Sequence, residues 1–231
     1  MTDEGRVVRT DGRDGTRPLI AVLDYGIGNL RSAEKSLQHV GADARLTADR
    51  GLIADAAGVV LPGVGAFGAC MAALARTGLD DVAHEAVRSG RPFLGICIGM
   101  QLLYQGSEED PGRAGLGVLE GTVVRLPDGV KRPQMQWNQL SVAQQDHPLV
   151  RGLDGSWMYF VHSYAARPTD ATDVLATVDY GGPVVAAAAR DNVWAAQFHP
   201  EKSARAGLAL LSNFTLAAAG AGRLDASQAQ R

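Results

Sequence analysis

Cys97 stands in the run Arg91-Pro-Phe-Leu-Gly-Ile-Cys-Ile-Gly-Met-Gln-Leu-Leu103, with Gly95 and Gly99 two residues to either side. Residues 93–96 read as a short buried strand, and residues 100–104 as the apolar start of a helix. A nucleophile on such a strand-to-helix turn forms a nucleophile elbow, here G-x-C-x-G in place of G-x-S-x-G. The turn demands strained backbone at the nucleophile, and a Cβ on either flanking glycine would crowd it. The helix that follows aims its N–H groups and positive dipole end at the sulfur, a setting that attracts negative charge. By itself this spacing suits any acyl-transfer hydrolase.

Such a nucleophile needs a base. Gln197-Phe-His199-Pro-Glu201-Lys202 ends the apolar run 193–198. In open α/β sheets the carboxyl ends of the strands form the ligand edge, so Cys97 and His199 can meet at one rim. The roles are Cys97 as nucleophile, His199 as general base and then acid, and Glu201 as the group that orients the imidazole. Alone, His-Pro-Glu reads as a solvated histidine followed by a helix-start carboxylate; the elbow is what changes its meaning. Oxyanion donors are expected from the turn Pro62-Gly-Val64-Gly65, which follows the apolar run 58–61, and from the N–H of Ile98 directly after the nucleophile. His39, His84 and His147 read as surface or loop residues. Cys70, in a helical pattern, reads as a small core residue.

These groups require a scaffold. Residues 19–24 read as a buried strand, 26–29 as a turn and 30–40 as an amphipathic helix with Ala33, Leu37 and Val40 on one face. Strands follow at 43–47 and 58–61, and helices at 67–76 and 79–89. This alternation means a parallel sheet with helices on both faces. Beyond about residue 115 the texture turns β-rich. Strands are expected at 118–126, 139–143, 158–165, 174–180, 184–190 and 193–198. Asp179-Tyr-Gly-Gly182 signals a hairpin, and a closing helix is expected over 204–219. Residues 1–18, with charges of both signs, read as a disordered extension, 19–218 as one domain, and 219–231 as a flexible tail.

Charge is nearly balanced, 22 Lys+Arg against 25 Asp+Glu, which disfavours nucleic acid as the main partner. No apolar run approaches a membrane span. Two cysteines make no disulfide framework, and no Cys/His spacing suggests zinc or another metal. The cytoplasm is the expected compartment, and no cofactor is expected.

Together these residues resemble the class I glutamine amidotransferases. Gly95-Ile-Cys97-Ile-Gly99-Met-Gln101 and His199-Pro-Glu201 match that family's two defining motifs. Within the family, five segments are similar to the glutaminase subunits of imidazole glycerol phosphate synthase, of histidine biosynthesis. They are Asp24-Tyr-Gly-Ile-Gly-Asn29, Pro62-Gly-Val-Gly-Ala-Phe67, Met135-Gln-Trp137-Asn138, Tyr159-Phe-Val-His-Ser163-Tyr164 and Gln197-Phe-His-Pro-Glu-Lys-Ser203. The resemblance covers about residues 19–218 and implies a three-layer, flavodoxin-like α/β fold. It implies that Cys97 attacks the side-chain amide of L-glutamine, releasing ammonia and leaving a γ-glutamyl thioester for water to hydrolyse. It also implies that Gln101 and Glu109 contact the α-amino end of the substrate. The backbone around Ser163 and Tyr164 would hold the other side, and Gly65 would line the pocket. Gln101 lies one helical turn after Cys97, on the same face. Glu108-Glu109-Asp110 alone would read as a solvated acidic loop.

The resemblance further implies a partner, because nothing in the chain reads as an acceptor module for ammonia. In the family the acceptor is the (β/α)8 cyclase subunit HisF, in a heterodimer. It converts the aminoaldehyde-forming ribulosyl substrate PRFAR to imidazole glycerol phosphate and AICAR. Asn29, Trp137, Asn138 and Lys202 match interface positions, and glutaminase activity is expected to rise when the partner is occupied, with Pro62 to Gly65 as the moving element. One departure stands out: Pro133-Gln134-Met135-Gln136-Trp137-Asn138 replaces the family's usual Pro-His-Met-Gly-Trp-Asn, which puts the local interface geometry in question. The competing readings are the glutaminase of another synthase and a stand-alone γ-glutamyl cysteine hydrolase.

Overall fold

Strands joined by helical crossovers must run parallel, since each crossover returns the chain to the same edge of the sheet. The computed structural model describes residues 17–28 and 30–228, with residues 221–228 as backbone alone. Its first half contains β1 (Leu19–Leu23), α1 (Leu30–His39), β2 (Asp43–Thr47), α2 (Arg50–Asp55), β3 (Gly58–Gly63), α3 (Phe67–Thr77), α4 (Leu79–Arg88), β4 (Phe93–Cys97) and α5 (Ile98–Leu102). The second half contains β5 (Gly121–Arg125), β6 (Gln134–Gln139), β7 (Ser141–Val142), β8 (Trp157–His162), β9 (Tyr164–Pro168), β10 (Val174–Asp179), β11 (Pro183–Arg190), β12 (Val193–Ala196) and α6 (Ala204–Gln228).

The main sheet has eight strands in the order β2-β1-β3-β4-β12-β11-β10-β7. The five from β2 to β12 are parallel, and β11, β10 and β7 add an antiparallel edge. Every residue of β3, β4 and β12 is buried, as strands covered on both faces must be. Their apolar composition follows from that, and so does the placing of the site at their common end. Among the helices, α1 packs with α6, while α3 packs with α4 and α5. The mostly parallel sheet with helical layers is the α/β architecture expected. Two small antiparallel sheets, β5-β9 and β6-β8, stand beside it.

The differences from expectation have physical reasons. The apolar run 158–165 is two strands, because the chain changes partner at Ser163: β8 pairs with β6, and β9 with β5. The strand expected at 139–143 shrinks to Ser141–Val142, while Gln134–Gln139 forms β6. Helix α2 was not anticipated; Asp49 caps it, accepting from the N–H of Leu52 at 2.8 Å. Helix α5 starts at Ile98 rather than residue 100, so it begins directly at the nucleophile. Helix α6 continues to Gln228, beyond the expected end at residue 219. Of the extension expected over residues 1–18, residues 1–16 lie outside the described residues, as does Asn29, while the Pro18 carbonyl accepts from the N–H of Asp43 at 2.9 Å. No helix among the described residues is long and apolar enough to cross a membrane.

Candidate active site

Cys97 is the last residue of β4 and precedes the first turn of α5 with φ 55° and ψ −113°. That left-handed backbone is costly for a residue with a Cβ and is held by its surroundings. A Cβ on Gly99 would lie 1.8 Å from the Leu61 carbonyl oxygen, and one on Gly95 would lie 2.7 Å from the Gly99 oxygen. Both glycines are therefore steric requirements of the turn, as the spacing predicts. The sulfur is nearly enclosed, with Cys97 3% exposed.

Strand β12 lies beside β4 with Ala196 level with Ile96. Gln197 therefore comes level with Cys97, and His199 follows just past the strand end. The backbone of His199 is pinned: its N–H donates to the Tyr159 carbonyl at 3.0 Å, and the Ser203 hydroxyl donates to its carbonyl at 2.6 Å. Its ring is 2% exposed, and Nδ1 donates to Glu201 Oε1 at 2.8 Å. Nε2 has no protein hydrogen-bond partner and faces the same cavity as Cys97. Burial opposes a charge on this ring, but attraction to the Cys97 sulfur and to the Glu201 carboxylate outweighs it and lifts the imidazolium pKa to about 9.

A cavity of about 270 Å³ opens at this rim. Val64, Gly65, Cys97, Ile98, Gln101, Glu109, Ser163, Tyr164 and His199 line it, with Pro133, Val161 and His162. Every nucleophile, base, oxyanion and substrate-contact residue anticipated from the sequence is thus brought to one cavity, with Glu201 directly behind His199. Gln101 Nε2 donates to the Tyr164 carbonyl at 2.9 Å and to Gln197 Oε1 at 3.0 Å. Its own Oε1 is left as an acceptor without a protein partner. Glu109 is exposed but anchored: Oε2 accepts from the N–H of Phe67 at 2.8 Å, at the start of α3. The cavity therefore offers a carboxylate and an amide oxygen together with a sulfur and an imidazole.

Sequence reasoning missed several polar neighbours. Gln197 is fully buried and directs Nε2 at Cys97 Sγ, 3.9 Å away; its place at the end of β12 was the available signal. His162 is 5% exposed, and Nδ1 donates to the Tyr164 carbonyl at 2.8 Å. Burial pushes its pKa down to about 4, against the pull of that carbonyl, so the ring is neutral with a bare Nε2. Gln134 is fully buried opposite His162 rather than presented outward. The exposed residues of β6 are Met135, Gln136, Trp137 and Gln139. Of the anticipated interface positions, Trp137 and Lys202 are exposed. Asn138 is half-buried, with its amide donating to the Asp179 carbonyl at 2.9 Å.

Comparison with known proteins agrees with this geometry. The family model for class I glutamine amidotransferases matches residues 21–218. The imidazole glycerol phosphate synthase subunit HisH of Synechococcus elongatus is 51% identical over 208 residues, covering 88% of this chain and 95% of the relative. The subunit of the same name from Methanothermobacter thermautotrophicus is 47% identical over 196 residues, covering 85% and 97%. A solved structure described as a glutamine amidotransferase superposes with a TM-score of 0.70 at 23% identity, covering 87% of this chain and 98% of the other. A chain from the PurLQS structure of Thermotoga maritima also gives 0.70, at 20% identity and 86% and 98% coverage. The two structures support the fold alone.

Proposed function

The chain belongs to the class I glutamine amidotransferase family, and from that premise we propose that its cavity is the glutaminase site of an imidazole glycerol phosphate synthase, in histidine biosynthesis. The observation that carries the reading is the convergence of Cys97, His199, Gln101 and Glu109 on one cavity. Residues 19–218 form the amidotransferase unit.

The α-ammonium of glutamine meets the Glu109 carboxylate and the unshared Oε1 of Gln101, which sets the side-chain amide against Cys97. The sulfur attacks the amide carbon. The oxygen takes the electron pair of the carbonyl double bond and is held by the N–H groups of Val64 and Ile98. His199, charged and steadied by Glu201, gives its Nε2 proton to the departing nitrogen, so that ammonia rather than an amide anion leaves. The γ-glutamyl thioester remains. His199, now neutral, takes a proton from water as the water attacks the thioester carbon, and collapse releases glutamate and restores the sulfur. Tyr164, with its carbonyl fixed by Gln101 and His162, and Ser163 beside it form the wall opposite Cys97.

The ammonia must reach an acceptor before it meets bulk water and is protonated. We infer that the acceptor is the (β/α)8 cyclase HisF, docked on the β6-β8 sheet. On that sheet Met135, Trp137 and Trp157 are 61%, 45% and 53% exposed, an uncommon apolar display. They share a face with Tyr159 and Val161, because residues paired across the ladder alternate together. Val161 also lines the cavity, so this face leads to the chemistry. Lys202, next to Glu201, lies where a docked partner can act on the triad. We infer a cytoplasmic location from the biosynthetic role. The test is glutamine hydrolysis by the chain alone, with the cyclase subunit, and with that subunit and its substrate. Rates rising along the series support a partner-gated glutaminase; equal rates in all three would favour a stand-alone γ-glutamyl hydrolase.

A further inference from the structure

The segment Pro62 to Gly65 lies between the active-site cavity and two buried side chains that the mechanism does not use. Tyr25, 2% exposed, donates its hydroxyl to the Pro62 carbonyl at 2.8 Å. Cys70, fully buried, directs its thiol at the Val64 carbonyl, 3.5 Å away. The two donors come from different places, the end of β1 and the first turns of α3, and they take alternate carbonyls of one segment. The peptide between those carbonyls carries the N–H of Val64.

Orientation is what matters at this position. Val64 lines the cavity, so a Val64 carbonyl turned toward Cys97 would repel the negative oxygen that forms during attack. Held in the core, that carbonyl stays away from the oxygen, and the preceding peptide, which carries the N–H of Val64, is left free to face it. Tyr25 also fits tightly: a Cβ on Gly63 would lie 2.4 Å from its hydroxyl, so only glycine admits the contact. Both donors keep their protons at neutral pH. Burial first, and then the neighbouring Cys70, push the Tyr25 hydroxyl well above its ordinary range. Burial likewise pushes the Cys70 thiol up.

We propose that Tyr25 and Cys70 are positioning residues for the glutaminase reaction: they hold the Pro62 and Val64 carbonyls in the core so that the Gly63–Val64 peptide alone turns to present its N–H to the oxyanion. A turn of one peptide changes ψ of Gly63 and φ of Val64 and leaves both flanking peptides in place, which is the freedom these two anchors permit. The proposal rests on the glutaminase reading of the cavity. It assigns the two residues to kcat and not to glutamine affinity, since neither side chain lines the cavity and the peptide they hold acts on a charge that forms only during attack.

The experiment measures kcat and KM for glutamine, and ammonia-driven synthesis, in complexes of the cyclase subunit with the unaltered chain, with Tyr25→Phe and with Cys70→Ala. Ammonia-driven synthesis reports a folded, docked complex. For Tyr25→Phe the expected result is a kcat about tenfold lower with KM within about twofold, less than the 10²–10³ lost when an oxyanion donor is removed outright. Cys70→Ala lowers kcat by a smaller factor, because a thiol is a weak donor. If Tyr25→Phe leaves kcat unchanged while the unaltered complex hydrolyses glutamine, the anchoring is wrong and the glutaminase reading stands. An equal shift in kcat and KM would also overturn it. If the unaltered complex hydrolyses no glutamine, both readings fall.

Discussion

Ala196 of β12 lies level with Ile96 of β4 across a parallel seam. From that register come both the placing of Gln197 beside Cys97 and the reach of His199 over the sulfur. Residues a hundred positions apart in sequence meet because two fully buried strands fit together in one register only; a one-residue slip would turn every side chain to the opposite face.

The Gln197 amide joins Cys97 to Gln101. Gln197→Ala removes one of the two acceptors of Gln101 Nε2, leaving the Tyr164 carbonyl alone to orient that amide. A lost buried hydrogen bond of about 1–3 kcal/mol corresponds to roughly tenfold or more in an equilibrium constant. We expect KM for glutamine to rise by about that factor, with a smaller change in kcat. Steady-state kinetics in the complex measure the split; an unchanged KM would show that Gln197 only fills space.

Glu201 acts through His199. Glu201→Gln keeps the shape and removes the charge that helps hold the imidazolium. The expected loss in kcat approaches about 10⁴, the size seen when an orienting carboxylate becomes an amide. The His199 midpoint of about 9 moves down with it. NMR titration of the labelled ring reads this directly. A midpoint equal to that of the unaltered protein would remove Glu201 from the charge balance.

The two buried histidines oppose each other in their effect on stability. His199 is raised from 6.5 to about 9, so the folded state holds its proton more tightly than the unfolded chain. Its stabilisation is complete below pH 6.5 and is lost as the pH rises toward 9. His162 is lowered from 6.5 to about 4, so the unfolded chain binds that proton more readily. Its contribution is complete above pH 6.5 and is lost as the pH falls toward 4. Thermal unfolding should show both losses. His162→Asn, which can still donate to the Tyr164 carbonyl, should flatten the acid limb and leave the alkaline limb; unchanged limbs would contradict the assignment.

The elbow makes a steric prediction. Gly99→Ala places a Cβ against the Leu61 carbonyl, which belongs to a fully buried strand and cannot move aside. The expected cost is at the exceptional end for a single substitution, about 4 kcal/mol or more. Denaturant unfolding measures it. A variant of near-normal stability would mean that β3 and α5 approach less closely than described.

The elbow and the His-Pro-Glu segment were legible in the sequence because each is a short local pattern whose residue types are dictated by one turn. Most of the alternation of strands and helices up to residue 97 was legible for the same reason, since its periodicity is local and β1, β3 and β4 are apolar; the short helix α2, whose signal is only the Asp49 cap, was not. What the chain did not reveal is long-range. Ser163 carries no turn signal, so the change of sheet between β8 and β9 was invisible in the apolar run. Gln134 is polar in a strand of alternating type, yet its side chain faces the core opposite His162. Tyr25 and Cys70 acquire their meaning only once β1 and α3 are placed beneath the segment Pro62 to Gly65.

Cys97 carries the central claim, and one comparison tests it most directly. Imidazole glycerol phosphate formation is measured in the complex of the cyclase subunit with the unaltered chain and with Cys97→Ala, using first glutamine and then ammonium salt as the nitrogen source. Removal of the sulfur should abolish glutamine-driven synthesis while ammonia-driven synthesis continues, because the acceptor chemistry belongs to the partner. Glutamine-driven synthesis persisting in Cys97→Ala would contradict the thioester mechanism and the function built on it.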